Sequence, residues 1–466
     1  MKKILLSASL LMLSTAAFAA TEDVPYEDVN GLKMENIYSF SLAYDNEAFS
    51  ASTISATTNP SAVTDGKTVY IGACGAQATI EEYDLMTGAY IKSLPLTLNG
   101  EAFAGTLSVA SIGFDEYGNM WAATYIDSSD GSHYYSVYTV DLESGAVASV
   151  GELFLDGCAG RIDFCDVIGD ITGKQAAGRI MACNNAAGCN VFNWYREQGS
   201  DSWQGGWDDG SIVRQTTGMY PENTQFNNGS VVRISRVDSA KDASLKFFWV
   251  DANYGYPTLY GNDGNAIDNM AEVDWQRTNA ETGETTGTVP EPSQSADGIA
   301  EGTVGGQNLL AFAHCQPNDG ETGALVQIAT IDDQWICSSI EHLWLTNPLG
   351  TVGDARRIHC LQFVEESNNT VLLMSYKVGN GLALYRITNT NAGVAENTVA
   401  AAADIRVNGD VIAVSETAES IEVYNVAGQK VAQVENTAEV AAPATGLYIV
   451  KAMVNGSPVV KKVVVK

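Results

Sequence analysis

Apolar and polar positions alternate in short runs along most of this chain, the two-residue period of strands, and amphipathic helical spacing is missing from the region that repeats. Residues 63–73, VTDGKTVYIGA, lead into IEEYDLMTGAYIKSL, and residues 113–123, GFDEYGNMWAA, lead into YSVYTVDLESGAVASV. Each unit is a polar turn with glycine, a strand of aromatic and β-branched residues, a loop, and a second strand running into Asp-Leu-x-x-Gly. Fainter copies of the first strand begin near Ile180, Phe247, Leu309 and Val371. Starting from Val69 and Met120, successive copies lie 51, 60, 67, 62 and 62 residues apart. That interval accommodates one four-stranded blade with generous loops, so the pattern predicts an all-β fold. Its main body over 30–389 is a β-propeller of six blades, or seven if one copy has decayed. A pair of β-sandwiches would not require such even spacing. Closure is expected between the strand Asn36–Tyr44 and the late strand Ala383–Asn389, since a closed ring leaves no sheet edge exposed.

Two stretches break the rhythm. Residues 276–298 are almost free of apolar side chains and predict a long exposed loop between blades four and five. Residues 390–403, small and polar, predict a linker. Beyond it, residues 404–466 form short alternating strands joined by Asn-Gly and Ala-Gly turns, the pattern of a small immunoglobulin-like β-sandwich. The segments IEVYNVAGQKV (Ile421–Val431), ATGLYIVKA (Ala444–Ala452) and the closing KKVVVK resemble the C-terminal sorting domain of the type IX (Por) secretion system. The resemblance matches Gly428 in the turn after the Tyr424 strand, the Gly446-x-Tyr448 pair, and Lys461, Lys462 and Lys466. It implies a Gram-negative export route, with the secretion machinery as partner and the cell surface or the exterior as destination. On that reading the final lysines belong to a recognition surface, although the chain as a whole is acidic. Without use of the tail, the protein would stay in the periplasm.

The first residues, MKKILLSASLLMLSTAAFAA, carry Lys2 and Lys3, an apolar run to Leu13 and an Ala-Phe-Ala site, so residues 1–19 are expected to be a cleaved signal peptide. No later run is long and apolar enough for a membrane-spanning helix. Removing residues 1–19 leaves 23 basic against 56 acidic residues, a formal charge of −33. Nucleic acid is excluded as a partner, because a phosphate-binding face needs clustered Lys and Arg. Eight cysteines in an exported chain allow disulfides, with Cys158/Cys165 and Cys183/Cys189 near enough in sequence to pair locally.

Propellers bind ligands where their innermost strands converge on the channel. The strands expected there are Ser108–Asp115, Gly160–Val167, Val231–Asp238 and Arg356–Phe363. Three of them carry arginine: Arg161, Arg233 with Arg236, and Arg356 with Arg357. A guanidinium fork suits a carboxylate ligand, and it equally suits ion pairs to neighbours such as Asp163 and Asp166 that tie blade to blade. His314-Cys315 and His359-Cys360 suggest zinc chemistry, but adjacent strand residues face opposite ways and do not share one ion. No cofactor is expected. Asn253–Asn269 offers oxygen ligands to calcium, without the ordered spacing of an EF-hand loop. Trp207 is the candidate exposed aromatic of the segment Asn193–Trp207, whose Trp194 and Trp203 are expected to pack against the next blade. No nucleophile-elbow, zinc-protease or phosphate-loop motif is present. The candidate ligand-binding residues are therefore Arg161, Arg233, Arg357, His359 and Trp207. The expected role is a surface binding module for a glycan, a peptide or a neighbouring surface protein. An alternative is a hydrolase or lyase of acidic polysaccharide using Asp163, Asp166, Asp251, Tyr254 or His359.

Overall fold

A computed structural model describes residues 26–41, 60–205, 230–234, 246–288, 298–314, 325–349, 359–390 and 405–465, apart from shorter stretches within these ranges. By internal contacts the chain divides into two units, Met1–Thr390 and Asn391–Lys466.

Among the described residues the first unit holds six blades in sequence order, five of them four-stranded antiparallel sheets and the second a six-stranded sheet, in which Thr97–Leu98 lies parallel to Ala146–Phe154 and pairs in turn with Glu101–Ala102. Their innermost strands are Ser61–Thr64, Ser111–Phe114, Cys165–Gly169, Ser230–Ile234, Ile299–Val304 and His359–Ser367. Each packs beside the next, and the sixth beside the first, so the six close a ring. The outer strand of blade six is Leu32–Ser41, which runs antiparallel to Gly381–Asn389 from Leu32 opposite Asn389 to Ser41 opposite Gly381. This is the closure read from the sequence, shifted a few residues toward the N-terminus. The repeated strand found in the sequence is the second strand of every blade, as in Thr68–Ala73, Met120–Ala123 and Thr370–Lys377. The stretch 276–298 departs from a plain loop, because Gln276–Thr278 pairs with Thr285–Thr288 in a two-stranded ribbon.

Side chains along a strand alternate between its two faces, so each blade supplies half of two cores. In blade six, Leu372 and Met374 pack with Val69, Ile71 and Leu85 of blade one. Val371 and Leu373, one position along, pack instead with Ala300, Leu309 and Ala311 of blade five. Val63 and Ile80 of blade one join Ile112 and Ala122 of blade two, whereas Trp121 and Tyr135 of blade two join Phe192 and Trp194 of blade three. The outer hairpin carrying Trp194 and Trp203 packs against the preceding blade, where the sequence predicted the next one. A Cβ on Gly151 of blade two would touch the Trp203 ring.

The Asp-Leu-x-x-Gly repeat is the turn between third and fourth strands. Asp84 Oδ1 accepts from the Thr87 backbone at 2.8 Å and Asp141 Oδ1 from Glu143 at 2.9 Å. Gly88 (φ 66°) and Gly145 (φ 75°) close the turns in the left-handed region that glycine enters without cost. The leucine of blade one, Leu85, is fully buried. A side chain on Gly88 would overlap the ring of Phe40, so the absence of one seats blade one on the closing strand.

The second unit is one connected sheet. Val411–Asn425 pairs with Ile405–Asn408 at its start, with Gly446–Val454 at its end, and with Lys430–Ala441 along both parts. Its pairing with Lys430–Ala441 breaks between Ala413 and Ala418, and Ser457–Val465 completes the unit beside Gly446–Val454. The inward residues Ile412, Ile421, Val450 and Val463 form a small sandwich core.

Candidate functional site

The free edges of the innermost strands point at the ring axis, and their backbone groups need partners. In blade one, Ser61 and Val63 face the second strand in register, while the N–H groups of Ala62 and Thr64 turn to blade six. Ala62 donates to Cys360 Sγ at 3.3 Å. Thr64 donates to Gln362 Oε1 at 2.9 Å, and Gln362 Nε2 donates back to the Thr64 carbonyl at 2.8 Å. Between blades two and three, Asp115 accepts from the Ile171 N–H at 3.0 Å, and Asn119 joins the two turns through Asp170 at 3.4 Å. The ring is therefore tied across its blades by side chains that replace strand pairing.

Within it lies a cavity of about 120 Å³. Its wall comes from the inner strands of blades one, two, three, five and six, at Val63, Phe114, Asp166, Ile299 and His359 through Phe363. Trp121 reaches it from the second strand of blade two because its cross-strand partner is Gly113. A Cβ on Gly113 would collide with the indole.

His359 is 1% exposed, and its Nε2 lies 2.7 Å from Ser375 Oγ. Burial, with the charge of Lys377 alongside, holds its pKa well below 6.5, so the ring is neutral at neutral pH. Cys360, beside it in sequence, turns to blade one, as alternation demands. Its thiol is pushed up by burial to about 11, and that of Cys165 across the channel to about 12, so both stay protonated. Cys165 is free, and the local pairing with Cys158 does not form. Two buried polar atoms of cavity-lining residues, His359 Nδ1 and Trp121 Nε1, have no hydrogen-bond partner among the described residues.

The sequence candidates are distributed unevenly about this centre. His359 lines it and Asp166 stands on the wall. Arg233 is on the innermost strand of blade four. Arg161 is on Gly160–Ile162, a separate ribbon paired with Ile126–Ser128, because the innermost strand of blade three begins only at Cys165. Asp251 ends the second strand of blade four. Arg356, Arg357, Asp163, Tyr254, Trp207 and Cys315 lie outside the described residues, as do Gly428 and Lys466 of the tail. In the tail Tyr448 is buried and donates from its hydroxyl to the Ala444 carbonyl at 3.0 Å, while Lys462 is exposed, Lys461 half-buried and Gly446 opens its strand. Sequence reading missed Trp121 and Gln362, and the glycine opposite Trp121 was the available signal.

The architecture defines the class, an all-β chain with a six-bladed propeller and a C-terminal sandwich. Residues 402–466 match the secretion system C-terminal sorting domain, so the sandwich is a type IX sorting domain, which implies export to the cell surface or the extracellular space. No curated protein matches the chain. Among solved structures it is similar to a DUF4623 family protein from Bacteroides eggerthii, at 11% identity over 78% of this chain and 76% of that one, TM-score 0.45. It is also similar to an α-L-arabinanase of Penicillium chrysogenum complexed with arabinobiose, at 9% over 76% and 98%, TM-score 0.43. A third is the α-L-arabinofuranosidase of Fusarium graminearum with an iminosugar inhibitor, at 9% over 72% and 94%, TM-score 0.41. No helix among the described residues is long and apolar enough to cross a membrane.

Proposed function

We propose that this protein is a surface binding module of a Gram-negative cell, exported after signal-peptide cleavage at residues 1–19, and that its propeller takes a glycan at the central channel. One observation supports a binding role for the wall. The titratable wall groups for which burial fixes a state are held in single protonation states, His359 neutral and Cys165 and Cys360 as thiols. A general acid or base works best with a pKa near the operating pH, whereas a fixed neutral imidazole is suited to hydrogen bonding. Arg161, Arg233 and Arg357 are proposed as contacts at the rim, with Trp207 as an aromatic platform. The test incubates mature protein, residues 20–466, with neutral and uronate-containing polysaccharides. Retention on the polymer and release of reducing or unsaturated ends are followed together. Retention without new ends is expected, and new ends overturn the reading in favour of a hydrolase or lyase.

A further inference from the structure

Strand alternation gives the C-terminal sandwich two faces. Tyr448, Val450 and Ala452 of Gly446–Val454 point into its core, with Val463 and Val465 of Ser457–Val465. The residues between them, Leu447, Ile449 and Lys451 on the first strand and Lys462 and Val464 on the second, take the other face. Register sets Leu447 opposite Val464 and Ile449 opposite Lys462, while toward the next strand Ile449 meets Tyr424 and Lys451 meets Glu422. This face is open, with Val464 57% and Ile449 36% exposed. Lys462 is exposed beside them, whereas Lys461, in register with the fully buried Val450, falls on the core side.

The charge here runs against that of the chain. Residues 446–466 contain four lysines and no carboxylate. Glu422, on the neighbouring strand, is already held by Lys430 at 2.8 Å and by the Tyr424 hydroxyl at 2.9 Å. An exposed apolar centre with lysines around it complements a protein surface that has an apolar centre and a rim of carboxylates. A second copy would bring lysine against lysine. A lipid surface would attract the lysines, but side chains lying level on a sheet offer no apolar wedge to enter it. The match of residues 402–466 to a sorting domain supplies the need for a partner. Resting on that sorting role, we infer that the face of Leu447, Ile449, Lys462 and Val464 is where the tail docks on the export machinery, against an acidic surface with an apolar centre. One side of the final hairpin is then read, and the lysine pair divides, Lys462 to the partner and Lys461 to the fold.

Full-length chains carrying Lys462→Glu or Val464→Asp are expressed in the cell that exports the wild type, and the propeller is immunoblotted in periplasm, cell surface and medium. Each substitution is expected to cut the exported fraction by about tenfold, the scale of losing an interface anchor. Val431→Asp also puts a charge on an exposed apolar residue, but on Lys430–Ala441, which does not pair with the last two strands, and it should be exported normally. Thermal unfolding of the purified variants shows whether the sandwich stands. Val464→Thr, which adds no charge, replaces any face variant that melts below wild type and should lower export in the same direction. Normal export of the face variants overturns the inference, and the sorting role survives if deletion of residues 402–466 still blocks export. Loss of export in Val431→Asp as well also overturns it, since a charge anywhere on the tail would then suffice. Normal export of the deletion overturns both readings together. If export persists in Val464→Asp while a wild-type dimer, or sedimentation with phosphatidylglycerol vesicles, is lost, the face belongs to a second copy or to lipid and the inference fails.

Discussion

Replacing Gln362 by alanine tests whether the ring depends on side chains that bridge its blades. The amide makes two hydrogen bonds of 2.8 and 2.9 Å to the backbone of Thr64, which is 1% exposed. At about 1 kcal/mol net for each, the loss is about 2 kcal/mol, rising to about 4 if channel water does not reach the freed N–H and carbonyl. With an unfolding entropy of about 2 cal/mol/K per residue, that lowers the melting temperature of the ring by about 3–5 °C. Gln362→Glu sharpens the test. Its carboxylate keeps the acceptor for Thr64 N–H but sets a negative oxygen against the Thr64 carbonyl. At neutral pH it should destabilise at least as much as alanine, and part of the loss should return in acid, where the carboxyl protonates and donates. Calorimetry of the mature protein, read on the propeller transition, provides the measurement. A Gln362→Ala transition within about 1 °C of wild type would show that these contacts do not hold blade one to blade six.

Three further outcomes are expected. Unfolded His359 takes up a proton below about pH 6.5 and folded His359 does not, so stability falls as pH drops through that value; His359→Gln should flatten the loss of melting temperature between pH 7.5 and 5. Gly88→Ala places a Cβ at φ 66° against Phe40 and should cost about 1–3 kcal/mol in denaturant titration, whereas Gly118→Ala, at φ 77° with open space around it, should cost less. Deleting residues 402–466 should leave the propeller inside the cell envelope, scored by immunoblotting of cells and medium; undiminished secretion would contradict the role of the tail.

The second strand of each blade was legible because it is the longest apolar run of its repeat and is flanked by turn residues. Thr68–Ala73 and Thr370–Lys377 are examples, buried through most of their length. Innermost strands were harder to read. Ser61–Thr64 is short and built of small residues, so it has no amphipathic signal even though all of it is buried. Of the arginines, Arg233 falls on an innermost strand and Arg161 on a side ribbon. The opposed directions of His359 and Cys360 followed from strand geometry alone, and the structure shows them bonded to Ser375 and to Ala62. Trp121 was hidden for a different reason. Its reach into the cavity depends on Gly113 across the strand, and cross-strand register is set by tertiary pairing that local sequence does not contain.

The pairing of Leu32–Ser41 with Gly381–Asn389 also sets a clock. A ribosome adding about 5–20 residues per second needs about 17–70 s to traverse the roughly 350 residues between these partners. During that interval the N-terminal strand has no mate, because the strands of blade six that receive it are made last in the propeller. Entropy makes the final docking slow as well, because ends so far apart in sequence must find each other. Until Gly381–Asn389 has been made, Leu32–Ser41 is a ten-residue strand with unpaired backbone groups, open to pairing with other chains.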